Sequence, residues 1–156
     1  MLPVTAFLWV HVRRLVQRWR RRRLQRVAVI GPHFVAGAGT RISNSGPAGR
    51  VQIGKWVTLI DDELRLFGGS ILIGNCVGMS ARGRIVSGVR VEIGDHSIFG
   101  RDVYISDTSE HLTEAVVRRD RTDALQRSGT PSDRSNTASA PVRIGSDVWV
   151  GQGLLS

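Results

Sequence analysis

The stretch "YISDTSEH", Tyr104 to His111, closes on a histidine that follows Asp107 and Thr108 where a regular pattern gives way to a long polar segment. An imidazole titrates near neutral pH, so a histidine held against a hydroxyl can remove its proton. That makes His111 the residue in the chain with the most evident capacity for chemistry. A solvated loop histidine beside Glu110 is the plain alternative. The other histidines read as structural: His96 occupies a turn position inside a repeat, His33 lies in "GPHF", and His11 belongs to the N-terminal segment. The single cysteine, Cys76, excludes an internal disulfide framework and is compatible with a reducing compartment.

The elements that must position these side chains follow from a repeat. "IG" recurs at Ile53-Gly54, Ile73-Gly74, Ile93-Gly94 and Ile144-Gly145. Within "VEIGDHSIFGRDVYIS" the step is about six, from Ile93 to Phe99 to Ile105, with Ser97 and Val103 four residues after the first two. Neither a helix of period 3.6 nor an alternating hairpin fits that spacing. A parallel β-helix does, each hexad giving one short strand and one turn, with the aliphatic residue inward and glycine at a corner. Three hexads make a coil of about 18 residues. The longer steps between Ile53, Ile73 and Ile93 predict two-residue corner insertions near "FGGS" and "VSGVR". From about Val27 onward no helix period is evident.

In "VEIGDHSIFGRDVYISDTSEH" and "PVRIGSDVWVGQG" the chain resembles the hexapeptide-repeat acyltransferases, nearest to the sugar and polysaccharide O-acetyltransferases related to galactoside and maltose O-acetyltransferases. The likeness covers roughly Val51 to Gly153. It implies an all-β fold, a left-handed parallel β-helix with a short N-terminal α-helix and one extruded loop. It also implies acetyl-coenzyme A as co-substrate, a saccharide acceptor, a homotrimer and no metal. By the same resemblance His111 is the general base, and Asp107 orients it or binds the acceptor, although a turn-forming aspartate accounts for Asp107 equally. Ser80 stands where many relatives carry an asparagine, so an oxyanion donor would be Ser80 or a backbone amide. Trp149 and Gly151 would line the coenzyme slot, although surface packing and a corner glycine account for them equally. Ser109 and Glu110 depart from the acidic and aromatic residues usual before the histidine, which leaves acceptor preference open. The γ-class carbonic anhydrases share the fold but need three converging histidines. Only His96 and His111 lie in the coil region.

Residues 1–27 read as a basic amphipathic helix, and residues 28–156 as the β-helix, with the loop at 107–140. Leu8, Val12, Leu15 and Trp19 form an apolar stripe, and eight arginines lie between Arg13 and Arg26. The net charge is +9, and all 22 basic residues but Lys55 are arginine. Such a helix over residues 5–26 suits an anionic membrane surface or a cap on the domain behind it. No nucleic-acid module accompanies the charge. The charges follow the apolar segment instead of preceding it, so it does not read as a cleavable signal peptide, and it is too short to span a bilayer. A cytoplasmic place, with peripheral contact at the inner membrane face, is the expectation. Residues 112–140 are polar, charged and without period. Relatives continue with further coils beyond a segment like "GQGLLS", so a chain lacking them is expected. Two functions follow: an acetyl-coenzyme A-dependent sugar O-acetyltransferase of surface polysaccharide synthesis, or an inactive truncated β-helix acting as a membrane-attached binding protein.

Overall fold

The computed structural model describes residues 4–109, 115–129 and 138–153, with side chains from residue 12 onward. Helix α1 (Val4–Leu24) leads into a parallel β-helix whose coils each carry three short strands. The first coil holds β1 (Val29–Ile30), β2 (Val35–Ala36) and β3 (Arg41–Ser43), and the second holds β4 (Val51–Ile53), β5 (Thr58–Leu59) and β6 (Glu63–Leu66). The third holds β7 (Ile71–Ile73), β8 (Gly78–Met79) and β9 (Arg84–Ser87), and the fourth β10 (Val91–Ile93), β11 (Ile98–Phe99) and β12 (Tyr104–Ser106). After the loop, β13 (Val142–Ile144) and β14 (Trp149–Val150) begin a fifth. Stacking gives three flat faces: β1-β4-β7-β10-β13, then β2-β5-β8-β11-β14, then β3-β6-β9-β12.

The register confirms the hexad reading. Ile30, Ile53, Ile73, Ile93 and Ile144 pair in one column. Ala36, Leu59, Met79, Phe99 and Val150 form the second, and Ile42, Leu64, Ile85 and Ile105 the third. These columns face inward and make the core, in which Val51, Leu59, Leu64, Ile71, Ile85, Val91 and Phe99 are fully buried. Each such side chain contributes roughly 1.5–3 kcal/mol on burial. Ser97, at the predicted small-residue position, is buried and donates its hydroxyl to the Gly145 carbonyl at 3.2 Å. The corner insertions fall where expected, since Phe67 to Ser70 and Gly88 to Arg90 separate the third face from the first.

The first and second faces meet at a corner that needs glycine. A Cβ on Gly94 would lie 2.6 Å from the Gly145 carbon, and one on Gly54 would lie 2.4 Å from the Gly74 oxygen. Two residues later each coil turns through the left-handed region, at His33, Trp56, Cys76, His96 and Asp147. That conformation costs roughly 1–2 kcal/mol per non-glycine residue. It is offset by a ladder: the amides of Cys76, His96 and Asp147 each donate at 2.9 Å to the carbonyls of Lys55, Asn75 and Asp95.

The β-helix begins at Val29, within the span read as β-helix from residue 28, and its first coil adds an "IG" pair to the four counted, since Ile30-Gly31 stacks on Ile53-Gly54. One finding corrects the sequence reading. The segment read as lacking any period contains α2 (Ala115–Ser128). None of its residues is buried, so no apolar stripe exists to give a periodic signal. Good helix formers such as alanine, leucine, arginine and glutamine carry it instead.

Candidate functional site

The extruded loop leaves the coil at a built neck. Asp107 follows β12, is 4% exposed, and turns its carboxylate back onto the corner of the coil before it. The Ser87 hydroxyl donates to it at 2.8 Å, and the Gly88 and Val89 amides at 2.6 and 2.9 Å. All three donors belong to the "VSGVR" insertion. The neck then closes across the loop: Thr108 bridges Ser139 antiparallel, and the Ser109 amide donates to the Ala138 carbonyl at 2.9 Å. The Ala140 amide returns to the Asp107 carbonyl at 3.0 Å. His111, the sequence-predicted base, lies outside the described residues, two positions beyond Ser109.

The remaining predicted residues gather elsewhere. Ser80 follows β8 at the corner between the second and third faces, half-buried, its amide bonded to the Phe99 carbonyl at 2.9 Å. Gly100 and Gly151 continue the same corner, and a Cβ on Gly100 would lie 2.6 Å from the Gly151 carbon. Trp149 points outward from the second face, 80% exposed, beside Ile98 at 57%. Gly78, next in that outer column, presents no side chain, so the two form an apolar ledge with open space below it. Ser80, Trp149 and Gly151 thus share one edge of the prism. Asp107 stands at the next edge, between the third and first faces, and the chain does not bring it to them.

The third face, which spans those edges, carries residues the sequence reading passed over. Glu63, Arg84 and exposed Tyr104 stack outward on it, with Arg84 and Arg65 each 3.2 Å from the Glu63 carboxylate. Their signal was available, since each precedes an inward hexad residue by one and must therefore face out.

Several carboxylates serve the coil. Asp95 accepts the Asn75 amide at 2.6 Å, and that bond, with a second from the Asn75 side chain, holds it below the usual carboxylate range. Asp102 is lowered by its hydrogen bond from Arg82, whose Nε lies 2.6 Å away. Asp62 is different. It is fully buried inside the coil, its Oδ1 accepts the Gly83 amide at 2.8 Å, and its Oδ2 has no partner among the described residues. Burial raises it to about 7. His33 stacks on Trp56 at 3.8 Å, in keeping with its structural reading. Among the described residues no group of three or more histidine, cysteine, aspartate or glutamate side chains could hold a metal ion. Nor is any described helix long and apolar enough to cross a membrane.

Comparison with known proteins yields one informative likeness. Over 160 aligned positions the chain is 26% identical to the protein named "Probable acetyltransferase Rv3034c" of Mycobacterium tuberculosis (strain ATCC 25618 / H37Rv). The likeness is to a probable acetyltransferase. It takes in 96% of this chain and 49% of that protein, so the chain spans about half the length of its relative. No family model matches, and no solved structure matches.

Proposed function

We propose that the chain is the β-helical part of an acetyl-coenzyme A-dependent O-acetyltransferase that acetylates a sugar hydroxyl in surface polysaccharide synthesis. The observation that carries the reading is the loop neck. It fixes Ser109, two residues before His111, at one edge of a parallel β-helix, in a chain similar to an acetyltransferase. His111 takes the hydroxyl proton as the oxygen attacks the thioester carbonyl. The tetrahedral intermediate collapses with loss of the C–S bond, and the imidazolium returns the proton to the departing thiolate. No acyl-enzyme forms. Asp107 acts as a positioning residue, since its carboxylate is bonded to the coil corner and holds the loop base. Ser80 or a backbone amide of its corner stabilises the oxyanion. The Ile98–Trp149 ledge supports the pantetheine chain, and Gly100 and Gly151 let it approach the backbone.

Asp107 and the Ser80 corner lie on different edges, which favours a site shared between two copies, as in a homotrimer. The test is thiol release from acetyl-coenzyme A in the presence of saccharide acceptors. His111→Ala is expected to lower the rate by about 10²–10⁴-fold while the circular dichroism spectrum is unchanged. A variant that acetylates at the parent rate refutes the mechanism.

A further inference from the structure

Helix α1 has two faces with different duties, and only one is explained by the coil. Toward the coil, the Gln17 side chain closes the open strand edge of β2, accepting the Ala36 amide and donating to the Ala36 carbonyl, both at 3.1 Å. Arg20, Arg21 and Arg23 donate to the carbonyls of Ala36, Ile30 and Thr40 at 3.0, 3.3 and 3.1 Å, and Leu24 is buried in the core. This side is the cap. On the opposite side Val12, Leu15, Val16 and Trp19 are exposed, with Leu15 and Trp19 each at 62%. Their spacing of three and four makes one continuous stripe. Capping does not account for it.

The stripe is bordered by exposed Arg18 and Arg22, which with Arg21 and Gln25 line a shallow hollow on the helix flank. The Nε of Arg21 is buried there with no hydrogen-bond partner among the described residues. Arg23 lies over the Trp19 ring at 5.6 Å and so holds the indole outward while its own guanidinium stays tied to Thr40. No aspartate or glutamate occurs in the sequence before Asp61, so nothing nearby in sequence neutralises this charge.

We propose that α1 is an interfacial anchor for an anionic lipid surface. It lies along the membrane plane, with Val12, Leu15 and Trp19 at the headgroup–acyl boundary and the exposed Arg18 and Arg22 on lipid phosphates. Nucleic acid would be drawn by the charge but has no use for a stripe of large apolar side chains, whereas an interface requires both. Because the cap face is opposite, the helix binds lipid without leaving the coil. The membrane and capping readings of the sequence describe two sides of one helix.

The test is sedimentation of the full chain with vesicles of phosphatidylcholine alone or mixed with phosphatidylglycerol, at low and high salt. Binding is expected only to the mixed vesicles and to weaken with salt. A Leu15→Ser/Trp19→Ser variant, which leaves every cap contact except the Arg23–Trp19 stacking, is expected to bind at least tenfold more weakly with an unchanged urea midpoint. Arg18→Gln and Arg22→Gln should each weaken binding about fivefold. Failure of the parent chain to bind mixed vesicles overturns the proposal. So does a stripe variant that binds as the parent does, or one whose only change is conversion of a self-associated chain to monomer. Duplex RNA displacing the vesicles, with the stripe variant unaffected, would assign the helix to nucleic acid instead. None of these outcomes depends on acetyl transfer.

Discussion

The Asp107 carboxylate accepts three hydrogen bonds in a buried setting, and hydrogen bonds to charged groups are worth about 1.5–3 kcal/mol each when one partner is lost. Asp107→Ala is therefore expected to destabilise the chain by about 2–4 kcal/mol in urea unfolding, with the Ser87 hydroxyl and two amides left unmatched. Asp62 has the opposite relation to charge. Its folded-state value of about 7 lies above the unfolded value of 3.8, so the neutral acid is the form the coil accommodates. Stability from this group is present in full below pH 4 and is lost as pH rises toward 7. Asp62→Asn should accordingly match the parent near pH 4 and exceed it at pH 8, which thermal unfolding at the two values measures. Little of this was legible beforehand. "DTSEH" marked a loop base, but the partners of Asp107 come from an insertion about twenty residues earlier in sequence, a distance bridged only by coil stacking. The structural reading of His96 was legible because it sits at a fixed turn position of the hexad, and His33, read only from "GPHF", holds the matching position in the left-handed column.

At the scale of elements, the glycine corner and the helix cap invite separate tests. Gly94→Ala places a methyl against the backbone of Gly145 and Ser146 and should cost about 1–3 kcal/mol, whereas Gly145→Ala meets no atom of the described residues within 4 Å and should be near neutral. Urea midpoints of the pair decide it. Gln17→Leu removes both bonds to Ala36 and should expose that amide to hydrogen exchange while amides of the third coil stay protected. The repeat was readable wherever an "IG" pair recurred at even spacing. The Ile30-Gly31 pair escaped the count because the corner from the first coil to the second is longer, with a 3-10 turn at Ala48–Arg50 that breaks the step. Helix α2 escaped for a different reason: an exposed helix with no apolar stripe has no periodicity to find. In α1 the stripe was legible, but which side met the coil was not, since a polar side closes strand edges better than an apolar one.

For the molecule as a whole, stability is a sum over coils and their interfaces, because each coil touches only its neighbours. Among the described residues the fifth coil pairs only with the fourth, and Val142, Ile144 and Val150 are partly exposed. Exchange of the Gly94 and Gly100 amides, which donate to that coil, should outpace exchange of the Gly54 and Gly74 amides deeper in the stack. Native-state hydrogen exchange resolves the difference. The loop neck bears on the same stack. Ile93 and Ile144 pair in perfect step although 51 positions separate them, just as Ile73 and Ile93 pair across 20. The prism therefore does not record how much chain lies outside it. With Thr108 and Ser139 joined at the base, the outer segment behaves like a cassette in a socket. Its length and composition are free to diverge, and a different cassette could be plugged in, while every coil keeps its place.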